Sequence, residues 1–179
     1  MLIINFHGAL AIALSALVLA ANAQASSLCA GSENTAITAT TPSADFTDNG
    51  DGTVTHHKTG LIWQRCSLGQ SWDGTDCIGN ATGFTWADAL AAGAQNTLAG
   101  FSDWRLPNKN ELASIVEYRC HGPAINNQQF PNTPLAWYWS SSPDAYCSIC
   151  AWYVRFDDGG VNGYDKYSNY RVRLVRAGQ

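Results

Sequence analysis

A loop-rich α+β domain, cored by aromatic rings and stapled by disulfides, is predicted by three observations. Two short segments carry helix start signals, the second half of the chain is dense in aromatic and β-branched strand formers, and six cysteines stand in 179 residues. Ten Lys and Arg against fourteen Asp and Glu give a net charge of -4, which excludes a generally basic nucleic-acid binder. Seven Trp, seven Tyr and six Phe exclude an intrinsically disordered chain. Charged residues make up only 13% of the sequence, so neutral polar loops, rather than a mesh of ion pairs, must cover the surface.

Residues 1–23 read as a secretory signal. Gly8–Ala23 carries no charge, Ala9–Ala20 is almost wholly apolar, and Ala21-Asn22-Ala23 is a small-x-small cleavage site. The apolar run is shorter than the roughly 20 residues that span a bilayer, so no membrane insertion is expected after cleavage. Residues 24–44, rich in Ser, Thr and Ala, are expected to form a flexible lead that Cys29 could tie to the body, and the domain proper is placed at 45–179.

Cys29, Cys66, Cys77, Cys120, Cys147 and Cys150 all follow the cleavage site, and an even count in an exported chain predicts three disulfides. Fifteen connectivities are open. Cys66–Cys77 is the best-placed local pair, because it closes the polar loop between them. Cys147-Ser148-Ile149-Cys150 has redox spacing but lacks the strand-to-helix setting that lowers a thiol pKa, so a structural bridge is the expectation. No Cys or His pairs stand at zinc-finger spacing, and no metal or other cofactor is expected.

Asp48-Asn49-Gly50-Asp51-Gly52, followed by Thr53-Val54-Thr55, predicts a tight turn entering a strand. The same acidic pentad has no closing Glu and no flanking helices, which argues against a calcium loop. Lys58-Thr59-Gly60 then turns into Leu61-Ile62-Trp63-Gln64, so Val54, Leu61 and Trp63 are core candidates. Thr85 caps a helix beginning at Trp86, with Asp88 favouring the positive end of its dipole. Asn108 and Glu111 form a capping box ahead of Leu112, Ile115 and Val116. Strand signals follow at Trp137–Ser140, Trp152–Phe156 and Tyr170–Leu174.

Alternation along these strands generates the binding hypothesis. Trp152, Val154 and Phe156 would face the core, and Tyr153 with Arg155 the solvent. With Tyr170, Val172 and Leu174 inward, Arg171 and Arg173 would project beside them. Tyr153, Arg155, Arg171 and Arg173 could then hold a sulfate or carboxylate by bidentate bonds and stack a sugar ring. The competing and weightier expectation is that these arginines pair with Asp157, Asp158 and Asp165 and merely solvate the sheet.

Phe46–Thr55, Thr59–Gln64, Thr85–Leu90, Gly100–Pro107 with Glu111-Leu112, Tyr138–Ser142 and Tyr170–Arg176 together resemble, in order, the domain family named for the C-terminal region of the Legionella collagen-like adhesin. The Asp103-Trp104-Arg105-Leu106-Pro107 block is the most specific part. It is also similar to a segment of formylglycine-generating-enzyme-like proteins, and the resemblance implies a C-type-lectin-like architecture with two helices and small antiparallel sheets. His56 departs from the acidic residue usual at that place, and there is no collagen-like stalk, so the trimeric state of the adhesin does not carry over.

Physically, Asp103, Trp104, Arg105 and Glu111 are expected to lock a turn before a helix, through a buried Trp and an Asp–Arg pair or backbone hydrogen bonds, without any ligand. No Ser/His/Asp motif, phosphate-cradling loop or His-rich cluster is present, and the Glu-Pro-Asn and Gln-Pro-Asp triplets of calcium-dependent sugar binding are missing. The expectation is a non-catalytic module, secreted, periplasmic or at the cell surface, that acts as an adhesin toward a host or matrix glycan or a surface protein. The alternatives are an exported thiol-disulfide oxidoreductase using Cys147 and Cys150, and a structural subunit of a surface appendage.

Overall fold

The computed structural model describes residues 27–178, so the expected signal segment and the first residues of the lead lie outside the described residues. In chain order the elements are β1 (Ser32–Glu33), β2 (Phe46–Asp48), β3 (Thr53–His56), β4 (Leu61–Gln64), β5 (Ser71–Trp72), β6 (Cys77–Ile78), α1 (Trp86–Ala94), α2 (Lys109–Ala113), β7 (Cys120–His121), β8 (Trp137–Pro143), β9 (Cys150–Arg155), β10 (Val161–Asp165) and β11 (Val175–Ala177). The fold is α+β, with two helices and several small antiparallel sheets.

The predicted hairpin is the frame. Asp48 Oδ1 accepts from Gly50 N–H at 2.9 Å and Asp51 Oδ1 from Thr53 N–H at 3.0 Å, while Gly50 and Gly52 take φ of 78° and 84°, open mainly to glycine. This turn sets β2 against β3, the Thr59-Gly60 turn sets β3 against β4, and β11 returns to pair with β4, giving the order β11-β4-β3-β2. A second sheet runs β10-β9-β8, and β5–β6 and β1–β7 are two-residue pairs.

Both helices start where the caps predict. Thr85 accepts from Asp88 N–H at 3.3 Å, and Asn108 Oδ1 accepts from Asn110 and Glu111 N–H, both at 2.9 Å, while Glu111 Oε2 accepts from Asn108 N–H at 2.8 Å. Gly93 on α1 lies against the Trp104 backbone; a Cβ there would stand 2.6 Å from Trp104 O. A side chain at this position would force the helix off the following block.

The β8–β9–β10 sheet lies between two cores. Tyr138, Val154 and Phe156 join Val54, Trp63, Leu112, Ile115 and Phe130 on one side; Trp139, Ala151 and Tyr153 join Ala89, Trp104, Leu106, Val172 and Leu174 on the other. Alternation therefore sorted Tyr153, Val154 and Phe156 to their sides, but Trp152, expected in the core, stays partly exposed with the Lys109 ammonium 4.4 Å from its ring, and the side expected to face solvent is covered as well.

The three disulfides are Cys66–Cys77, Cys147–Cys150 and Cys29–Cys120. The last closes a separation of 91 residues and ties the lead to the body through Cys29. From residue 27 onward that stretch is fastened at three places. Cys29 is buried, β1 pairs with β7, and the wholly buried Glu117 carboxylate accepts from the N–H groups of Thr40 at 2.9 Å and Thr41 at 2.7 Å, and from the Thr41 hydroxyl at 3.0 Å. Burial pushes the Glu117 pKa up, and the hydrogen bonds from Thr40, Arg119 and Thr41 more than reverse that, leaving it below the usual carboxylate value.

Candidate functional site

The Asp103–Glu111 stretch is engaged by the fold itself. Trp104 is buried and its indole N–H donates to Leu98 O at 3.0 Å. Asp103 Oδ1 accepts from Arg176 Nε at 2.7 Å, and the Arg176 guanidinium lies 3.8 Å over the Phe101 ring. Arg105 makes a two-pronged pair with Glu111, both contacts at 2.7 Å, so the carboxylate that caps α2 is also the partner of the preceding loop. The Arg105 hydrogen bonds hold the Glu111 carboxyl below its ordinary pKa, against the opposing effect of burial.

The four-residue face expected from alternation does not assemble as drawn. Residues 170–174 are not a continuous strand: Tyr170 and Arg171 make isolated bridges to Phe84 and Tyr138, and regular pairing resumes only at Val175. Without a strand, alternation fails, and Arg173 turns inward. It is wholly buried, donating to Gln64 O at 3.1 Å, Thr133 Oγ1 at 2.7 Å and the Arg65 carbonyl, and it lies 4.8 Å from the Phe130 ring. Its expected surface role is corrected to that of an internal cross-brace. Tyr153 is likewise only 4% exposed, because Trp137 stacks on it at 4.9 Å with the planes 8° apart. Arg155 does stay at the surface, paired with Asp157 and Asp158, each at 2.9 Å; Asp165 is not among its partners.

Arg171 remains. Its guanidinium makes no ion pair or hydrogen bond with any described side chain, and its backbone bridges Tyr138, with Arg171 N–H donating to Trp137 O at 2.9 Å. Together with Gly83, Ala136, Asn169 and Tyr170 they line a shallow cleft of about 480 Å³. Gly83 keeps this cleft open beside Arg171, since a Cβ there would stand 3.4 Å from Nη1. The Trp137 indole N–H donates to no described residue, and its ring is partly exposed. Tyr170 meets Trp137 edge-on at 5.0 Å and Trp139 at 4.4 Å, and burial drives its phenol pKa far up, so it is neutral throughout the physiological range.

The sequence pointed to Arg171 and missed Trp137, which stood only as one letter of a strand signal. Its position directly before the buried Tyr138-Trp139 pair was the available clue. Among the described residues no cluster of His, Cys, Asp and Glu could hold a metal ion.

A family model described as the Lcl C-terminal domain matches residues 52–176, well over half of the chain. The chain belongs to the Lcl C-terminal domain family. The match takes in β3 to β10, both helices, the Asp103–Glu111 block and the residues of the Trp137–Arg171 cleft of this Lcl C-terminal domain, and leaves β1 and β2 outside it. No curated protein matches the chain. The chemistry of this Lcl C-terminal domain has therefore to be read from its own residues.

Proposed function

We infer that this Lcl C-terminal domain is a non-catalytic recognition module of an oxidising, extracytoplasmic compartment, an adhesin-type domain that binds a glycan bearing sulfate or carboxylate groups. One observation carries the reading: Arg171 and Trp137 both line one open cleft, and neither the guanidinium nor the indole N–H has a hydrogen-bond partner among the described residues. A guanidinium takes an oxyanion bidentately, and an aromatic edge with a free N–H suits a hydroxylated ring beside it. Arg155 contributes little, because two carboxylates already neutralise it. A single available arginine on an acidic protein implies modest affinity per site.

Three disulfides support the oxidising compartment, and they occupy all six cysteines. Cys147 and Cys150 are bonded to each other at the turn entering β9, with a strand rather than a helix following, which favours a brace over a dithiol enzyme. A C-type-lectin-like arrangement is supported by β11 closing the sheet that the first hairpin opens. The test is an array of sulfated, carboxylated and neutral glycans, read with and without chelator and repeated on Arg171→Ala. Chelator-insensitive binding to acidic glycans that Arg171→Ala loses supports the reading; equal binding by both proteins, or turnover of a dithiol substrate, contradicts it.

A further inference from the structure

A second cleft lies at the end of β4, walled by the loop that Cys66–Cys77 closes. It encloses about 320 Å³, and its polar lining comes from Gln64, Asn96, Asp51, Ser71 and Gln70, with Trp72 as the aromatic wall. That volume is at the small end of ligand clefts, which run from roughly 300 to 1,000 Å³.

The hydrogen bonds at its base fix which atoms are left over. Leu98 N–H donates to Asn96 Oδ1 at 3.1 Å, and a backbone N–H can only donate, so the oxygen of the Asn96 amide must face it. Gln64 Nε2 donates to the same Oδ1 at 2.7 Å, which by the same logic sets the Gln64 amide. The pair thereby leaves two groups unpartnered among the described residues on side chains that line the cleft: the Gln64 side-chain oxygen, an acceptor, and the Asn96 amide NH2, a donor. Gln64 is 97% buried, since its relative exposure is only 3%, yet its Oε1 takes no hydrogen bond from a described residue and is not sealed from solvent. A buried amide held rigid with one acceptor free toward an open cleft is costly unless water or a ligand satisfies it.

Acceptor beside donor on a rigid base matches a hydroxyl, which donates to one and accepts from the other. Trp72 adds a ring wall, held by the Arg65 guanidinium 4.2 Å from its centroid. Arg65 is itself paired with Asp48. The one formal charge on the cleft lining is Asp51, so anions are disfavoured here. We propose that this cleft is a binding site for one residue of an uncharged saccharide, separate from the Arg171 face. The two sites would let the domain read an acidic and a neutral unit of one polymer, but neither depends on the other.

The test follows the Gln64 and Asn96 side-chain amide signals by 15N NMR during titration with the methyl glycosides of glucose, galactose, mannose and N-acetylglucosamine, with N-acetylneuraminic acid as the charged comparator. At least one neutral glycoside should shift both signals, with a dissociation constant in the millimolar range. Asn96→Asp keeps the acceptor that Leu98 and Gln64 need and replaces the donor with a charged oxygen that can only accept, so it should fold normally and bind at least tenfold more weakly. Arg171→Ala should leave this titration unchanged. No shift with any neutral glycoside, an equal or stronger response to the acidic sugar, or undiminished binding by folded Asn96→Asp would each overturn the proposal, whatever becomes of the Arg171 face.

Discussion

The Asp103–Arg105 block and the Trp137–Arg171 face each combine a tryptophan with an arginine, with opposite results. In the first, the indole N–H reaches Leu98 O, Arg105 takes Glu111 with two bonds, and Asp103 takes Arg176. In the second, the indole N–H and the Arg171 guanidinium meet no acceptor among the described residues. The difference teaches that a conspicuous sequence motif can be wholly engaged in holding a loop. The residues that remain free for a partner are then the ones that no motif marks.

The contrast can be broken most severely at Trp104. Truncation of this buried ring in Trp104→Ala removes a large part of the second core, and should cost about 3–5 kcal/mol in denaturant unfolding. A cost below about 1 kcal/mol would mean the block is not the lock described.

Glu117→Gln comes next. The amide can still accept, but it loses the charge that five donors from Thr40, Thr41 and Arg119 converge on, so a loss of about 2 kcal/mol is expected, with faster amide exchange across residues 27–42. The same carboxylate sets an acid limit. Its folded pKa lies below the ordinary 4.5, so the stability it confers is complete above that value and is lost as the pH falls through the folded pKa.

His56 gives a smaller effect at milder pH. Buried and stacked on Phe46 at 4.6 Å, it is held below its ordinary pKa of 6.5 chiefly by desolvation. Its contribution is complete above pH 6.5 and declines as the pH falls toward the folded pKa, because the unfolded chain takes up the proton first. Urea midpoints compared at pH 7.5 and 5.5 should fall more for wild type than for His56→Gln. An identical fall in both proteins would remove His56 from the account.

The smallest stability effect sharpens the comparison. Arg105→Ala should cost about 1 kcal/mol, since it breaks a bidentate but half-exposed pair and loosens the α2 cap, whereas Arg171→Ala should change stability by less than about 0.5 kcal/mol. Thermal unfolding of the two variants side by side reads this directly. A larger loss for Arg171 would place it among the structural arginines.

Much of the fold was legible because its signals are local. Thr85, Asn108 and Glu111 announce helix starts within one turn of sequence, and Asp48–Gly52 announces a hairpin within one turn of chain. Cys66–Cys77 was legible for the same reason. What escaped is non-local. Nothing near Cys29 points to Cys120, and nothing near Thr41 points to Glu117, so the residues that hold the lead were not legible. Arg173 was misplaced because alternation presumes a strand, and the chain at 170–174 makes only single bridges. Tyr153 was misplaced because a period of two tells sides apart without telling which is wet. Gln64 and Asn96 stand 32 residues apart, and only the folded chain brings their amides together.

The central claim is that Arg171 alone among the candidate arginines is available to a partner. The direct measurement is calorimetric titration of a sulfated oligosaccharide into wild type, Arg171→Ala and Arg155→Ala at one ionic strength. The account predicts that Arg171→Ala binds about tenfold more weakly or worse, as expected for the loss of a charge-assisted bond, and that Arg155→Ala binds like wild type. Equal weakening in both variants, or weakening in Arg155→Ala alone, would contradict it.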